Sequence, residues 1–452
     1  RCLQTGGFLQ LRFCCRLRLE NKKIEGRRRL DTFLLNTVIL LALVVVLGFF
    51  NEKVTKFTHE IALMLFTVIV GGMLLVASAV LRGTGTASQV LEELQFFNLE
   101  GFLMEGVLCF MLFAGSCHMR LLDFKKYARA ISLLAVGATF LGAVFYGLIF
   151  YGAGKLLGLS FTLPVCLMFG SIVAPTDPIA ATSILKRFHL PDGISFIIEG
   201  ESLLNDGMGV ALFIFFSGMV TAEESGGFIA VMAKEILGAM VVGIVVTFLC
   251  FAIFSRTKDE SRQIFTSLLA VSMSYVLCEC FGFSGAIASV VCGVLFSALR
   301  NYSEYKGKPL DLRQFDIFWG ILDTLLNSVL YVMLGISFIR ILQMPHVLVL
   351  SLLAIAANLV ARSGSLGAAS IFIGPLPDGY NKPQFIKLLT WGGLRGGLSV
   401  ALAMSAQGMV SDEIHLIILG GTYAIVFFTT IVQGMTMHRV YERIQSTVVK
   451  GE

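Results

Sequence analysis

Residues 161–178 read FTLPVCLMFGSIVAPTDP, an apolar run that ends in two prolines around an aspartate. An apolar run of this kind predicts a membrane helix, but proline removes a backbone donor and interrupts the helix at Pro175 and Pro178. Lipid cannot satisfy the freed backbone groups, so a broken helix must be shielded by other protein or line a cavity. The stretch therefore predicts an interrupted span inside a protein with many membrane helices.

The composition of the whole chain agrees with a membrane protein. Of its 452 residues 56% are hydrophobic and 14% are charged, against about 25% charged in soluble domains, and the mean hydropathy is +0.82. No basic stretch alternates with aromatic residues, which argues against nucleic-acid binding, and the ten scattered cysteines have no metal or redox spacing.

We expect an all-α polytopic protein in a lipid bilayer with about thirteen transmembrane helices. Their approximate ranges are 31–50, 60–81, 100–117, 129–157, 161–189, 193–220, 228–255, 262–280, 283–300, 313–342, 346–373, 384–408 and 414–442.

A second interruption lies near the C-terminus. The run Gly392-Gly-Leu-Arg-Gly-Gly397 puts four glycines around an arginine inside the twelfth predicted span. The fifth and twelfth spans are seven apart, and an odd offset means that the second copy runs inverted in the membrane. Paired broken helices in inverted repeats mark the binding sites of transporters. The pattern predicts two inverted six-helix repeats, spans one to six and eight to thirteen, whose broken helices 5 and 12 cross.

Loop charges predict the orientation of the chain, because Lys and Arg collect on the cytoplasmic side of a membrane. The loops around Lys125, Arg256 and Arg300 are basic, whereas intervening loops, such as those at Glu223 and Asp412, are acidic or neutral. This alternation places the C-terminus in the cytoplasm.

The same charge pattern divides the chain into three parts. Residues 31–443 are expected to form the membrane domain, and residues 444–452 a short cytoplasmic C-terminal end. Residues 1–30 are basic and break the alternation. Their origin stays open between a fragment of a targeting segment, an unusual cytoplasmic tail and foreign sequence.

The sixth predicted span carries the strongest polar cluster, Gly200-Glu-Ser-Leu-Leu-Asn-Asp206. An ionisable group at the centre of a span costs roughly 2.5–3.5 kcal/mol or more, so it is a functional candidate. Helical spacing puts Ser202, Asn205 and Asp206 on one face. That face offers a hydroxyl, an amide carbonyl and a carboxylate, the hard oxygen ligands that suit sodium. We predict that Asp206 is the shared site for the metal cation (Na⁺) and the proton.

The broken helices supply further candidates. The backbone carbonyl and hydroxyl of Thr176 are expected to ligate the ion. Asp177 is a further candidate for the cation and proton site, and it is also expected to compensate the positive N-terminal ends of the half-helices. Arg395 is expected to compensate the negative C-terminal ends, although it could instead snorkel to the interface. Glu201 could be a second cation ligand or the structural partner of an intramembrane arginine, for which Arg362 is the obvious candidate.

The predicted mechanism is competition for one carboxylate. Near neutral pH Asp206 carries either a proton or a cation, and the protein changes its open side readily only when Asp206 is neutralised. Because Asn205 has no proton to exchange, one proton per cation and electroneutral exchange are expected. This stoichiometry depends on Glu201, whose titration would make exchange electrogenic.

Other classes of function fit the sequence less well. A cation channel would use rings of carbonyls or charges, and a single intramembrane aspartate beside two broken helices suits a carrier better. The six scattered histidines show no pair, metal-ligand spacing or nucleophile-and-base set, so an enzyme is not expected, and no cofactor is expected. Potassium or lithium in place of sodium stays open.

The motifs resemble the sodium/proton exchanger family, in its monovalent cation/proton antiporter branch of the electroneutral type. The resemblance covers roughly residues 34–443, and its main strings are Ala174-Pro-Thr-Asp-Pro178, Gly200-Glu-Ser-Leu-Leu-Asn-Asp206 and Trp391-Gly-Gly-Leu-Arg-Gly-Gly397. It implies a homodimer with a role in pH regulation, in which each subunit would have a dimerisation domain and a core domain that moves as an elevator. Whether the membrane is a bacterial inner membrane or a eukaryotic plasma or organelle membrane stays open.

The resemblance also assigns roles to single residues. It implies that Asp206 binds the cation with support from Asn205, and that Glu201 pairs with Arg362. Thr176 and Ser202 would contribute further oxygens. Sodium as the cation follows from the resemblance alone.

Overall fold

The protein is described by a computed structural model. The structure describes residues 37–80, 101, 106–119, 121–159, 161–177, 190–221, 227–306, 312–341, 345–374, 376–377 and 379–449. The basic segment 1–30 and the second half of the predicted fifth span, 178–189, lie outside the described residues.

The described chain is built almost entirely of helices. In chain order they are α1 (Thr37–Thr55), α2 (His59–Val80), α3 (Leu108–Ser116), α4 (Leu121–Ser132), α5 (Thr139–Leu156), α6 (Leu163–Val173), α7 (Asp192–Thr221), α8 (Phe228–Phe254), α9 (Glu260–Phe281), α10 (Gly285–Tyr305), α11 (Arg313–Ile341), α12 (Pro345–Ser370), α13 (Lys382–Gly392), α14 (Gly397–Ser405), α15 (Asp412–Phe427) and α16 (Gly434–Val449). Turns of π-helix close α1 at Asn51–Thr55, join α4 to α5 at Leu133–Ala138 and join α15 to α16 at Phe428–Gln433.

This architecture confirms the all-α membrane fold. Within the described ranges, nine helical segments are long and apolar enough to cross a membrane, with α4–α5 and α15–α16 each counted as one continuous segment. The only β-type pairing in the described residues is an isolated bridge between Gln407 and Val410. The total of thirteen spans and the inverted repeats stay predictions.

The spans differ in how much protein surrounds them. In α8 only 28% of the apolar window is buried by other protein, and side chains such as Val241 and Leu249 project from the bundle. In α7 the buried share is 72%, the highest among the described spans. Because apolar side chains need no cover in lipid, the contrast indicates that α8 faces the bilayer and α7 lies at the centre. The central helix is the one that carries Glu201, Asn205 and Asp206.

The close approach of α7 to its neighbours requires glycine. A Cβ at Gly209 would overlap the ring of Pro175, and a Cβ at Gly207 would overlap the side chain of Ile287 on α10. Small residues let helices pack backbone to backbone in a membrane. Here they bring the end of α6 and the start of α10 against the turn of α7 that holds Asp206.

Both interrupted helices begin in the same way. α6 has Pro164 in its first turn, and α13 has Pro383 in its first turn. Proline is tolerated there because the N–H groups of a first turn have no partner within the helix, so the missing N–H of proline breaks no hydrogen bond. Asn381 and Gln384 add a capping box to the start of α13. These signals fix where each half-helix starts, and each helix is 11 residues long, ending at Val173 and at Gly392.

Candidate ion-binding site

Two unwound segments meet at the centre of the molecule. α6 ends at Val173 and residues 174–177 are not helical. α13 ends at Gly392, residues 393–396 are not helical, and α14 begins at Gly397. The backbone N–H of Asp177 donates to the carbonyl of Leu394 at 2.8 Å. The two segments are therefore in direct contact, as parts of one site.

Arg395 lies at the C-terminal end of α6. Its Nη1 donates to the carbonyls of Ala174 and Pro175, the latter at 2.7 Å, and its Nη2 donates to Asn358 Oδ1 at 3.1 Å. These carbonyls have lost their helical partners because α6 stops there. Arg395 is only 3% exposed, so its contacts favour compensation of the helix end over snorkelling to the membrane surface.

The backbone of the second unwound segment is satisfied by the π-helical turn between α15 and α16. The N–H of Arg395 donates to Thr429 Oγ1 at 3.0 Å, and Thr430 Oγ1 donates to the Arg395 carbonyl at 3.4 Å. Both threonines are fully buried. Our sequence reasoning missed them, although two adjacent threonines in an apolar run were a signal for a nearby broken backbone.

Asp177 lies at the N-terminal end of α14. A Cβ on Gly396, the residue that precedes α14, would overlap the Asp177 carboxyl group, so glycine is needed for the two to meet. The hydroxyl of Tyr331 on α11 donates to Asp177 Oδ2 at 2.7 Å. A carboxylate at a helix N-terminus is electrostatically favourable. Tyr331 is a second group that the sequence reasoning did not find.

Asn205 ties α7 to the first unwound segment. Its Oδ1 accepts from the N–H of Thr176 at 3.2 Å, and its Nδ2 donates to Thr176 Oγ1 at 2.7 Å. Thr176 Oγ1 also lies 2.9 Å from Ser202 Oγ. The three side chains predicted to offer oxygens around the ion thus form one hydrogen-bonded group.

Glu201 and Arg362 form a buried ion pair. Arg362 Nη1 lies 3.0 Å from Glu201 Oε1, and Nη2 lies 3.2 Å from Oε2. Asn205 Nδ2 donates to the same Oε1 at 2.9 Å. Because both carboxylate oxygens are engaged, this geometry suits a structural ion pair better than a second cation ligand. Asn205 connects the pair to Thr176, a link that the residue spacing alone did not reveal.

Asp206 differs from the other two acids of the site. It is 7% exposed, and its carboxyl group forms no hydrogen bond with any residue in the described part of the chain. The charges of Asp177, Glu201 and Arg395 act on it. Its oxygens are therefore available to a proton or a cation, whereas Glu201 and Asp177 already accept hydrogen bonds.

The charges of the site do not cancel. Asp177, Glu201 and Asp206 carry three negative charges when ionised, and Arg362 and Arg395 carry two positive charges. The five groups are all at most 8% exposed, so water screens them little. The cluster has a formal charge of −1, which one proton or one monovalent cation neutralises.

The residues of this site lie within a region that matches a known family. The family profile described as "Sodium/hydrogen exchanger, transmembrane" matches residues 94–443. The chain belongs to the sodium/hydrogen exchanger family. The match includes both unwound segments and the whole of α7, so the family resemblance drawn from the motifs is confirmed.

Relatives of this exchanger-family chain include named bacterial antiporters. The Na(+)/H(+) antiporter NhaP of Pseudomonas aeruginosa is 29% identical over 89% of this chain and 95% of its own length. The Na(+)/H(+) antiporter NhaH of Halobacillus aidingensis is 31% identical over 63% of this chain and 70% of its own length. Among solved structures, the sodium proton antiporter MjNhaP1 from Methanocaldococcus jannaschii at pH 8 has a TM-score of 0.69 and 19% identity, covering 91% of this chain and 99% of that one. That likeness establishes a shared fold.

Proposed function

We propose that the protein exchanges one sodium ion for one proton across a membrane, with both ions competing for Asp206. The proposal rests on the position and the hydrogen-bond partners of the Asp206 carboxyl group. It lies on the central helix beside two unwound segments and has no hydrogen-bond partner among the described residues. Intramembrane acids in such positions belong to ion pathways and proton relays.

Stoichiometry follows from the partners of the other acids. Glu201 is held by both nitrogens of the Arg362 fork, and Asp177 by the Tyr331 hydroxyl and the N-terminal end of α14. Only Asp206 is left to change its occupant, and the cluster charge of −1 requires one positive charge. A 1:1 electroneutral exchange results, since the bare cluster is costly in a low dielectric.

Alternating access is proposed to use a rigid-body, elevator-type movement of the core in a homodimer. The site is well suited to move as a unit. Arg395 joins α6, α12 and the unwound segment before α14, and Asn205 joins α7 to Thr176. A continuous pore would need these contacts to open, whereas a rigid movement keeps them intact.

Sodium is proposed because the related bacterial proteins are named as Na(+)/H(+) antiporters. The oxygens of Asp206, Thr176 and Ser202 are hard ligands that suit lithium and potassium as well. Potassium/proton exchange on the same fold is therefore the second candidate. A cation channel is disfavoured, because the polar groups form a compact cluster and not a ring.

The test is exchange in liposomes that contain a pH-sensitive dye and an imposed pH gradient. Sodium, lithium and potassium are added in turn to wild-type protein and to Asp206→Asn, with and without a clamped membrane potential. We expect proton flux that depends on the cation, disappears in Asp206→Asn and ignores the potential. Glu260→Gln, which removes an exposed acid at the start of α9, serves as the control and should exchange normally.

Two outcomes would contradict the proposal. Equal flux in wild type and Asp206→Asn, with both proteins folded, would remove Asp206 from the mechanism. A cation-dependent flux that scales with the membrane potential would rule out 1:1 exchange and point to a second titrating acid.

A further inference from the structure

A stripe of polar side chains runs along one face of α11. Asp316, Asp323, Asn327 and Tyr331 follow one another at spacings of seven, four and four residues. Residues at these spacings share one helix face. Asp316 Oδ1 lies 3.9 Å from His118 Nδ1, just after the end of α3, and the charges of both Asp316 and Asp323 act on Cys117 at the same end of α3.

The stripe connects the surface of the bundle to the ion-binding site. Asp316 is half-buried and pairs with Arg300 at 2.8 Å near the basic loop that follows α10. Asp323 is partly buried, Asn327 is 3% exposed and Tyr331 is fully buried. At a rise of about 1.5 Å per residue, the stripe spans roughly 22 Å. Its inner end is the Tyr331 hydroxyl, which donates to Asp177 in the site.

Asn327 is the unusual member of the stripe. Its Nδ2 donates to the carbonyl of Asp323 at 2.8 Å and to Asp323 Oδ1 at 2.9 Å. Its Oδ1 is buried and has no hydrogen-bond partner among the residues that the structure describes. Oδ1 belongs to the same amide group whose Nδ2 contacts the Asp323 carboxylate. A buried carbonyl oxygen without a donor costs roughly 1–3 kcal/mol, so its position needs an explanation.

We propose that the Asn327 amide oxygen and the Asp323 carboxylate form a second, transient binding site for the transported cation, on the route between the Arg313 end of α11 and Asp206. This inference rests on the proposed function, because it concerns the same cation. An amide oxygen and a carboxylate are the hard ligands of an alkali cation. Water would supply the remaining ligands, since Asp323 is partly exposed.

The charges along the route favour a cation over an anion. Asp323 lies between the Arg300–Asp316 pair on one side and the Tyr331–Asp177 contact on the other. The charges that act on the Tyr331 hydroxyl are those of Asp177 and Glu60, both negative. A cation that leaves the Asp323–Asn327 pair thus meets increasing negative potential toward Asp177 and Asp206. The route therefore raises the cation concentration next to the main site.

A purely structural role for Asn327 predicts something different. The hydrogen bonds that hold Asn327 to α11 use its Nδ2, and they leave Oδ1 without a function. If Asn327 only packed the helix, removing its oxygen would change folding or both directions of transport alike. A cation site on one side of Asp206 changes the affinity from that side only.

The test measures the apparent KM for sodium from each side, in right-side-out and everted membrane vesicles that contain the full chain. Asn327→Leu removes the oxygen ligand at similar volume, whereas Asn327→Asp keeps two oxygens. We expect Asn327→Leu to raise KM about tenfold from the side of the Arg313 end, which is the loss of one ligand interaction. In Asn327→Leu the KM from the opposite side and the maximal rate should stay close to wild type. Asn327→Asp should have wild-type KM values from both sides. The exposed-acid variant Glu260→Gln should match wild type from both sides.

A binding measurement keeps the inference independent of exchange. Purified Asp206→Asn protein is equilibrated with radioactive sodium, with and without Asn327→Leu. Weak residual binding in Asp206→Asn that disappears in the double variant supports the α11 site. An absence of exchange in the wild type would overturn the proposed function but would not affect this binding result. Equal binding in the two proteins, or a KM in Asn327→Leu that is unchanged or raised equally from both sides, would overturn the α11 site. Melting curves of each variant identify a folding defect. Where Asn327→Leu has one, Asp323→Asn, which removes the charge of the other ligand at a partly exposed position, replaces it in both measurements with the same expected losses.

Discussion

The Glu201–Arg362 pair gives the sharpest test of the site. The change is Arg362→Leu, which removes two buried hydrogen bonds of 3.0 and 3.2 Å to the Glu201 carboxylate. Breaking a buried pair from one side costs about 3–5 kcal/mol, because the remaining charge is left uncompensated. Glu201 keeps the hydrogen bond from Asn205 at 2.9 Å, and a bond to a charged group contributes about 1.5–3 kcal/mol. We therefore expect a loss at the lower end of that range.

The pair also sets the charge of the site. Without Arg362 the cluster has three carboxylates and one guanidinium, a formal charge of −2. An unpaired buried carboxylate is strongly disfavoured, so we expect Arg362→Leu to be less stable and to exchange more slowly than wild type.

The assay is thermal unfolding in detergent, followed by the fluorescence of Trp319 and Trp391, combined with exchange in liposomes. Arg362→Leu and Glu201→Gln should each lower the melting temperature clearly. The double variant should be more stable than the sum of the single losses predicts, because it contains no unpaired charge. Strict additivity of the two losses, or a melting temperature of Arg362→Leu equal to wild type, would refute the assignment of a stabilising ion pair.

Three further predictions follow from single contacts of the site. The proposed competition between protons and the cation for Asp206 predicts that the apparent KM for sodium rises as the pH falls, by about tenfold per pH unit once the protonated form predominates. A KM that stays constant over roughly three pH units around neutrality would contradict competition. Tyr331→Phe removes the donor to Asp177 and should destabilise the protein by about 1–3 kcal/mol, seen as a lower melting temperature with exchange retained at reduced rate; unchanged melting and rate would contradict a role for the hydroxyl. Gly396→Ala should nearly abolish exchange because its Cβ overlaps the Asp177 carboxyl group, whereas the control Gly367→Ala, with open space around it, should be active; similar activity of both would contradict the close approach.

The fold could be predicted from the sequence because lipid imposes simple rules. Apolar runs of spanning length predicted the helices, and the prolines of 174–178 and the glycines of 392–397 predicted where two of them stop. Both interruptions in the described structure begin at these positions, with α6 ending at Val173 and α13 ending at Gly392. Helix breaks of this kind are a local property of the chain.

The candidate site could be predicted only in part. Helical spacing placed Ser202, Asn205 and Asp206 on one face. Glu201, Asp177 and Arg395 were candidates because ionisable side chains inside membrane spans are functional candidates. The partners of these groups come from distant segments, such as Tyr331 for Asp177, 154 residues apart, and Asn358 for Arg395, 37 residues apart. The sequence around a tyrosine or asparagine in an apolar helix does not indicate which distant residue it will contact. Such contacts depend on how the helices pack.

The role of Asn205 changes most between sequence and structure. Its position next to Asp206 suggested an oxygen ligand that carries no proton. In the structure its Oδ1 accepts from the Thr176 backbone, and its Nδ2 donates to Thr176 and Glu201. An amide is the group that can accept and donate in this way, whereas an aspartate at 205 would face the Glu201 carboxylate with no proton to donate. In the proposed mechanism Asn205 therefore favours one proton per cation in two ways. It brings no second acid, and its hydrogen bond helps to hold Glu201 in the ion pair with Arg362.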